Sequence, residues 1–456
     1  MEVSIGPNEL KKFRLVMGAI LLLTVLTQLI DNAFMLITPI LVENFSISTD
    51  VGSWVASIGG IGIAIGFLAF SSFADFFSEK KLLVIGLLLF CLPSITGTLF
   101  QGSYYMVVIS RFVQAIGGIS TSALYLVLIA RYLPKKEQVI WMGLCTTSFT
   151  VSTVIGTVTG GYLSTYFGWQ FIFYIPLIGL LALPIILKYL PNNPEIKSDL
   201  DFVGFLILAI FAICMNFLIS NPSIILLIVT IALVVVFWVY ISKARNPFVS
   251  IAFFKNRDYI ITLAATFFYY LSQVALVFIT PFLLQSLFDF SLEKVSLIYI
   301  IPYTVSGVIA AFSGTIINKF NMKRTLIAGV TLIIIGLVFG GFLSSLGIAY
   351  VLITLMLVNG GYALSFAPLL TRAISTLQES EVGTGIGLFN FTVRIANALG
   401  ISITAFLLNS NFTEANVFNL STQMAKYSNI FLVLAMTALI GITVYIMSCK
   451  KGNGGN

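Results

Sequence analysis

The sequence predicts an all-α membrane protein of fourteen transmembrane helices with both termini in the cytoplasm. Three observations carry that prediction. Of 456 residues, 59% are hydrophobic and only 9% charged, and the mean hydropathy is +1.05, a balance foreign to soluble domains. Apolar runs of about 20 residues, enough to cross a hydrocarbon core of roughly 30 Å, recur along the whole chain. The basic residues also keep to one side. With the amino terminus inside, 20 of the 24 Lys and Arg residues fall on inner segments, against Lys294 and Lys426 outside and two within helices. That bias fixes orientation and requires an even number of helices.

The first run, 15 to 41, is too long for a signal peptide's apolar core and lacks a small-residue cleavage site, so it stays as a helix. Runs at 51 to 73, 82 to 100, 103 to 130, 138 to 163 and 169 to 190 complete six. Two more, 201 to 220 and 223 to 242, carry no charge between Gly204 and Ser242 and offer no recognisable chemistry. The last six lie at 259 to 285, 292 to 317, 325 to 343, 347 to 371, 382 to 409 and 426 to 448. Abundant glycine suits close helix contact in lipid.

Composition also excludes. The net charge of +7 is explained by topology, so a nucleic-acid partner is not expected. Histidine is absent, and Cys91, Cys145, Cys214 and Cys449 lack metal-ligand spacing, so neither a His relay nor a metal site is expected. No P-loop is present. No nucleophile and base stand at recognisable spacing, which argues against an enzyme, and no cofactor is called for.

An internal repeat divides the chain. S-S-F-A-D-F-F-S-E-K-K-L-L (Ser71 to Leu83) follows the second helix, and G-T-I-I-N-K-F-N-M-K-R-T-L (Gly314 to Leu326) follows the tenth. They align without gaps, and eight helices separate them. The arrangement is therefore 6+2+6: residues 1–195 form an N-terminal six-helix bundle, 196–250 two inserted helices and a linker, and 251–456 a C-terminal six-helix bundle. Such repeats are the usual build of secondary transporters. An acid at a helix end followed by a basic pair can form charge-assisted bonds to neighbouring helix termini. Asp75, Lys80, Lys81, Asn318, Lys323 and Arg324 are thus candidates for a cytoplasmic gate; the plainer alternative makes the basic residues topology anchors.

Further patterns are R-F-V-Q-A-I-G-G (Arg111 to Gly118), V-I-G-T-V-T-G-G (Val154 to Gly161), L-D-F-V-G (Leu200 to Gly204) and A-R-N-P-F (Ala244 to Phe248). Together with the repeated loop they resemble, over nearly the whole chain, the major facilitator superfamily and its fourteen-helix drug:proton antiporter branch, which includes Gram-positive tetracycline and multidrug exporters. The first loop matches that family's G-x-L-x-D-R-x-G-R-K/R at Asp75 and Lys80 and departs at Ser71, Phe76, Ser78 and Glu79. Arg111 and Gln114 meet R-x-x-Q-G, with Ala115 for the glycine. Gly156, Gly160 and Gly161 meet the antiporter pattern G-P-x-x-G-G, with Thr157 for the proline. Gly156 and Gly160 form a small-x-x-x-small face, which serves generic packing or, as the resemblance implies, a sliding seam between bundles.

Three ionisable side chains lie at depth: Asp31, Arg111 and Arg394. Each costs about 2.5 to 3.5 kcal/mol at a helix centre, so such groups face a cavity, pair, or both. Asp31 lies ten residues before the outer end near Leu41, roughly 15 Å, and Arg111 eight residues past Ser103, roughly 12 Å. They share a layer. The resemblance places the first and fourth helices at a central cavity, so the two are expected to pair directly or through Gln28 or Gln114. Burial and a guanidinium pull the carboxyl's protonation in opposite directions, which suits a coupling site; a static ion pair is the alternative. Thr24, Gln28, Asp31, Met35 and Thr38 recur on one face. Asn390, Arg394 and Asn397 line a second stripe, and Thr262, Thr266, Tyr269, Tyr270 and Gln273 a third, offering aromatic area and polar groups to an amphipathic ligand.

The expected substrate residues are Gln28, Asp31, Gln114, Tyr269, Tyr270, Gln273, Asn390, Arg394 and Asn397, and the coupling pair is Asp31 and Arg111. The resemblance implies a monomeric, proton-coupled exporter of hydrophobic or amphipathic antimicrobials in a bacterial cytoplasmic membrane, its partners being cargo, protons and lipid. Tetracycline exporters of that branch carry acids where this chain has Thr153 and Asn397, and a strongly dicationic cargo is disfavoured. The rival is an exporter of an endogenous amphiphile such as a fatty acid or lipid precursor; a channel or scaffold is opposed by the repeat and the buried charges.

Overall fold

The computed structural model describes residues 7–74, 76–191, 201–244, 251–375, 382–410 and 422–452, together with 247, 249 and 377. Among them, all fourteen expected spans are helical and no strand occurs. The first six are α1 (Lys11–Leu36), α2 (Thr49–Phe73), α3 (Glu79–Leu99), α4 (Tyr104–Ile129), α5 (Ile140–Tyr166) and α6 (Trp169–Tyr189). The next two are α7 (Phe202–Ser220) and α8 (Ile224–Lys243). The last six are α9 (Arg257–Phe288), α10 (Leu292–Phe320), α11 (Met322–Leu346), α12 (Ile348–Ile374), α13 (Thr384–Asn409) and α14 (Met424–Ile446).

Four expected runs are interrupted: the second at Ser53 and the tenth at Tyr299, each for a single residue, and the first and ninth as follows. The first breaks at Ile37 and resumes as Thr38–Phe45, where Pro39 is tolerated because the first turn needs no N–H partner. The ninth breaks at Leu271 and Ser272. There Ser272 Oγ meets the Tyr362 hydroxyl at 2.6 Å, and Gly400 of α13 passes so close to the Leu271 carbonyl that a Cβ would collide with it.

Within the first six helices, α4 packs on α1, α2 and α3, and α1 also packs on α5 and α6. Within the last six, α12 packs on α10 and α11, and α14 on α9 and α11. Two seams join these sets: α2 against α13, and α5 against α10. Both are tied at their outer ends. Asn409 Nδ2 donates to Asp50 Oδ1 at 3.1 Å, and the Tyr166 hydroxyl donates to Glu293 Oε2 at 2.7 Å. The inner half of α10 is by contrast open, with Val308, Phe312 and Phe320 exposed. On the inner face Arg14 and Glu137 pair at 2.6 Å, a bond that holds the Glu137 carboxyl below the usual carboxylate range.

The α7–α8 pair is closed at its inner end by Asp201, whose carboxylate accepts from Gly204 N at 2.8 Å, capping α7, and from the Tyr240 hydroxyl of α8. Both helices meet lipid over much of their length, and α8 exposes Ile224, Ile225 and Trp238.

Lipid gives helices no hydrophobic reason to associate, so close approach and van der Waals contact must hold them. The α3–α4 contact shows the device. Gly117 lies against the Leu89–Phe90 backbone, where any Cβ would overlap main-chain atoms, whereas Gly143 on α5 has nothing near its Cβ position. Gly117→Leu is therefore expected to destabilise by about 1–3 kcal/mol through overpacking, and Gly143→Leu to leave stability essentially unchanged. Thermal unfolding in detergent compares them, and equal midpoints for both variants would contradict this packing.

Candidate functional site

The seam between α1 and α4 is a ladder of polar contacts. Thr24 Oγ1 donates to Thr121 Oγ1 at 3.3 Å and Thr27 Oγ1 to the Gly118 carbonyl at 3.2 Å. One turn further out, Arg111 Nη2 donates to Asp31 Oδ1 at 2.5 Å. The expected layer is confirmed, and the pair is direct.

Arg111 is enclosed. Its Nη1 donates to Gln114 Oε1 at 3.2 Å, Gln114 Nε2 donates to Ser94 Oγ at 3.1 Å, and Ser94 Oγ donates to the Phe90 carbonyl at 3.3 Å. The guanidinium carbon sits 5.0 Å from the Phe34 ring centroid, a cation–π contact. Gly59 of α2 leaves room for the guanidinium, whose atoms lie 3.0 to 3.3 Å from where a Cβ would stand. Asp31 is different: its side chain is 26% exposed against 3% for Arg111. No described residue donates to Oδ2. Among the described residues only Oδ1 is bonded, and the side chain as a whole is partly exposed.

Arg394 stands across α2 from Arg111. Gly60 has the Arg394 carbonyl and Ala398 beside its Cβ position, so successive glycines of α2 touch Arg111 and the Arg394 helix. Arg394 is half-buried, makes no ion pair or side-chain hydrogen bond among the described residues, and lies within the field of Asp31. Asn397 Nδ2 donates to Gln273 Oε1 at 3.3 Å, its own Oδ1 buried without a partner among the described residues. Asn390 bonds back to the Ile386 carbonyl at 2.9 Å. Gln28 is buried on α1 beside this layer.

Tyr269 and Tyr270 correct the sequence-based expectation. They are 2% and 1% exposed and pack with Tyr362 in a three-ring cluster, centroids 5.0 to 5.4 Å apart, with Gly441 of α14 closing on Tyr269. The stripe is real, but helix rotation turns these rings into packing between α9, α12 and α14, leaving Gln273 as the neighbour of the Arg394 stripe.

The glycines of α5 divide their work. Gly156 and Gly160 press on Leu29 and Ala33, the α1 residues flanking Asp31, whereas Gly161 meets Leu292 and Ser296 of α10. Only Gly161 touches the seam to the other bundle.

On the inner face, Asp75 lies outside the described residues. The ion pair found beside this loop uses Glu79, which departs from the family pattern. Glu79 is buried, and Arg131 Nη1 donates to its Oε1 at 2.7 Å and to the Ala74 carbonyl at 2.8 Å. Lys81 lies over the Phe77 ring at 5.5 Å, and Lys80 is half-buried. In the aligned second loop, Asn318, Lys323 and Arg324 are exposed; Asn321, three residues after Asn318, caps α11 by accepting from Arg324 N at 3.0 Å. The two loops share a pattern and differ in structure. Paired signs at Glu79 and Arg131 were the available clue.

The profile of one family, described as Major Facilitator Superfamily, matches residues 20–401. Multidrug resistance protein Stp of Mycobacterium tuberculosis is 24% identical over 383 residues, 81% of this chain and 71% of that protein. Multidrug export protein EmrB of Haemophilus influenzae is 25% identical over 431 residues, 88% and 83% of the two chains. Riboflavin transporter RibZ of Clostridioides difficile is 23% identical over 430 residues, 91% and 92%. The crystal structure of the POT family transporter PepTSo shares the fold, with TM-score 0.71 at 15% identity over 97% of this chain and 99% of that one.

Removing Arg131 takes the counter-charge from a buried carboxylate, to which the Tyr132 hydroxyl still donates at 3.5 Å, whereas Glu79→Gln keeps a neutral acceptor for the same guanidinium. Arg131→Ala is therefore expected to destabilise by about 2–3 kcal/mol and Glu79→Gln by about 1 kcal/mol. Denaturation midpoints in detergent measure both, and a larger loss for Glu79→Gln would contradict this account of the pair.

Proposed function

The chain belongs to the Major Facilitator Superfamily, and on that premise we propose that it exports hydrophobic or amphipathic antimicrobials from the bacterial cytoplasm in exchange for protons. The fold is that of a multi-pass membrane transporter. The observation that carries the proposal is the asymmetric Asp31–Arg111 pair: a sequestered guanidinium bonded to one oxygen of a partly exposed carboxylate. Protonation of Oδ2 removes the charge that binds Arg111, leaving the guanidinium to Gln114 and Phe34. A cationic or donor group on arriving cargo takes the same place and expels the proton. Proton and cargo thus compete for one oxygen, which is the requirement for exchange.

Cargo named for the relatives supports drug efflux, since Stp and EmrB are both multidrug proteins. Arg394 supplies a second, donor-rich contact that suits a carboxylate or enolate. Zwitterionic amphiphiles of the tetracycline type satisfy both ends of the site. Export of an endogenous amphiphile is the second reading; Arg394 favours it, and RibZ is a relative named for riboflavin.

Two measurements test the proposal. Adding tetracycline to lightly buffered, detergent-solubilised protein is expected to release protons, and Asp31→Asn to release fewer while still binding. A stable Asp31→Asn protein that releases as many protons as wild type would leave Asp31 a static partner of Arg111. In vesicles, Arg394→Gln is expected to lower transport of carboxylate- or enolate-bearing compounds at least tenfold, roughly the 1.4 kcal/mol or more of a charge-assisted bond, and to spare a lipophilic monocation. Equal loss for both classes would make Arg394 structural.

A further inference from the structure

Helix α7 takes no part in the site described above, yet it carries one side-chain amide, Asn216, only 1% exposed. Its Nδ2 donates to Ser57 Oγ of α2 at 3.1 Å, and its Oδ1 accepts from Ser402 Oγ of α13 at 2.6 Å. Both serines are fully buried. An amide in hydrocarbon is unfavourable unless both ends are bonded. Here each end is bonded to a different bundle.

The depth of the contact is informative. Asp50 and Asn409 tie the outer ends of these same two helices, and Ser57 and Ser402 each lie seven residues further in, about 10 Å at 1.5 Å per residue. Still further in, Gly60 rests on Ala398. The outer end of the α2–α13 seam therefore has two fastenings, an exposed one and a buried one, and the buried one is supplied by an inserted helix.

Alternating access requires Ser57 and Ser402 to separate when the outer side opens. Helix α7 packs on α13 as well as on α2, but among the described residues its ring contacts are with α2. Trp54 of α2 packs edge-on to Phe217 with centroids 3.7 Å apart, and Phe73 of α2 packs edge-on to Phe205 at 5.6 Å, so α7 is fastened to α2 near both ends. Ser402 also has a second acceptor in reach, the Ala398 carbonyl of its own helix at 3.4 Å. It can leave Asn216 without being stranded.

We propose that Asn216 is an outer-gate residue: α7 moves with α2, the Asn216–Ser57 bond persists through the cycle, and the Asn216–Ser402 bond forms only when the outer side is shut. The inserted pair would then bias the conformational equilibrium by one buried hydrogen bond. The proposal concerns the moving seam alone and is independent of cargo and of proton coupling.

The test reads outer accessibility without cargo or gradient. A reporter thiol, Met35→Cys, is placed in a chain whose four native cysteines are replaced by serine or alanine, and a membrane-impermeant maleimide is applied to right-side-out vesicles. Ser402→Ala is expected to raise the labelling rate about threefold, the factor corresponding to roughly 0.6 kcal/mol for a bond between membrane helices. Asn216→Leu should do the same, and Ser57→Ala should leave the rate near wild type because its bond exists in both states. Labelling of Ser402→Ala at the wild-type rate overturns the proposal, as does an equal rise for Ser57→Ala. Ser402→Ala removes one hydroxyl and keeps the test open if Asn216→Leu fails to reach the membrane.

Discussion

A guanidinium as fully enclosed as that of Arg111 needs a counter-charge where it lies, and much of the central architecture follows from meeting that demand. Asp31 supplies the charge, Gln114 and Ser94 continue the chain of hydrogen bonds, Phe34 covers a face, and Gly59 leaves the space. Those residues come from α1, α2, α3 and α4. Four helices are thereby held at fixed rotation about one cation, since turning any of them by a fraction of a turn would withdraw its contribution. Breaking such a pair by removing one partner costs about 3–5 kcal/mol, so the pair is a structural keystone and a chemical site at once.

In the proposed cycle, the coupling between that site and the rest of the molecule is mechanical and short. Gly156 and Gly160 bring α5 against Leu29 and Ala33, so any shift of α1 accompanying a change at Asp31 is felt by α5. One residue on, Gly161 meets α10 in the other bundle. A neighbouring face of one helix therefore touches both the acid's flank and the seam. Packed interiors switch between discrete arrangements and do not deform smoothly, which makes this shared helix a physical route from the charge to the seam.

The helices were legible because hydrocarbon imposes a length and a composition that few other constraints imitate. The family resemblance put the helices of Asp31 and Arg111 side by side, and the shared depth of the two residues was legible from residue counts, since depth accumulates at a fixed rise along each helix. Azimuth does not. Whether Tyr269 looks into a cavity or into α12 and α14 depends on the rotation of α9, which the sequence leaves undetermined where apolar residues surround every face. Glu79 was hidden for another reason: it breaks the family pattern, and its partner Arg131 lies two helices and a loop away. Asn216 was passed over inside an otherwise apolar helix, although a lone amide in such a helix signals a partner elsewhere.

The site holds one carboxylate and two guanidinium groups, so it is never electrically neutral when empty. Its charge is +1 with Asp31 ionised and +2 with Asp31 protonated. Turning it from one face of the membrane to the other moves that charge through whatever share of the transmembrane field falls across the closed side. A full crossing amounts to about 2.3 kcal/mol per charge for each 100 mV. In the proposed cycle, membrane voltage therefore acts on the empty protein directly, favouring the orientation that puts the site on the negative side, before any cargo has bound.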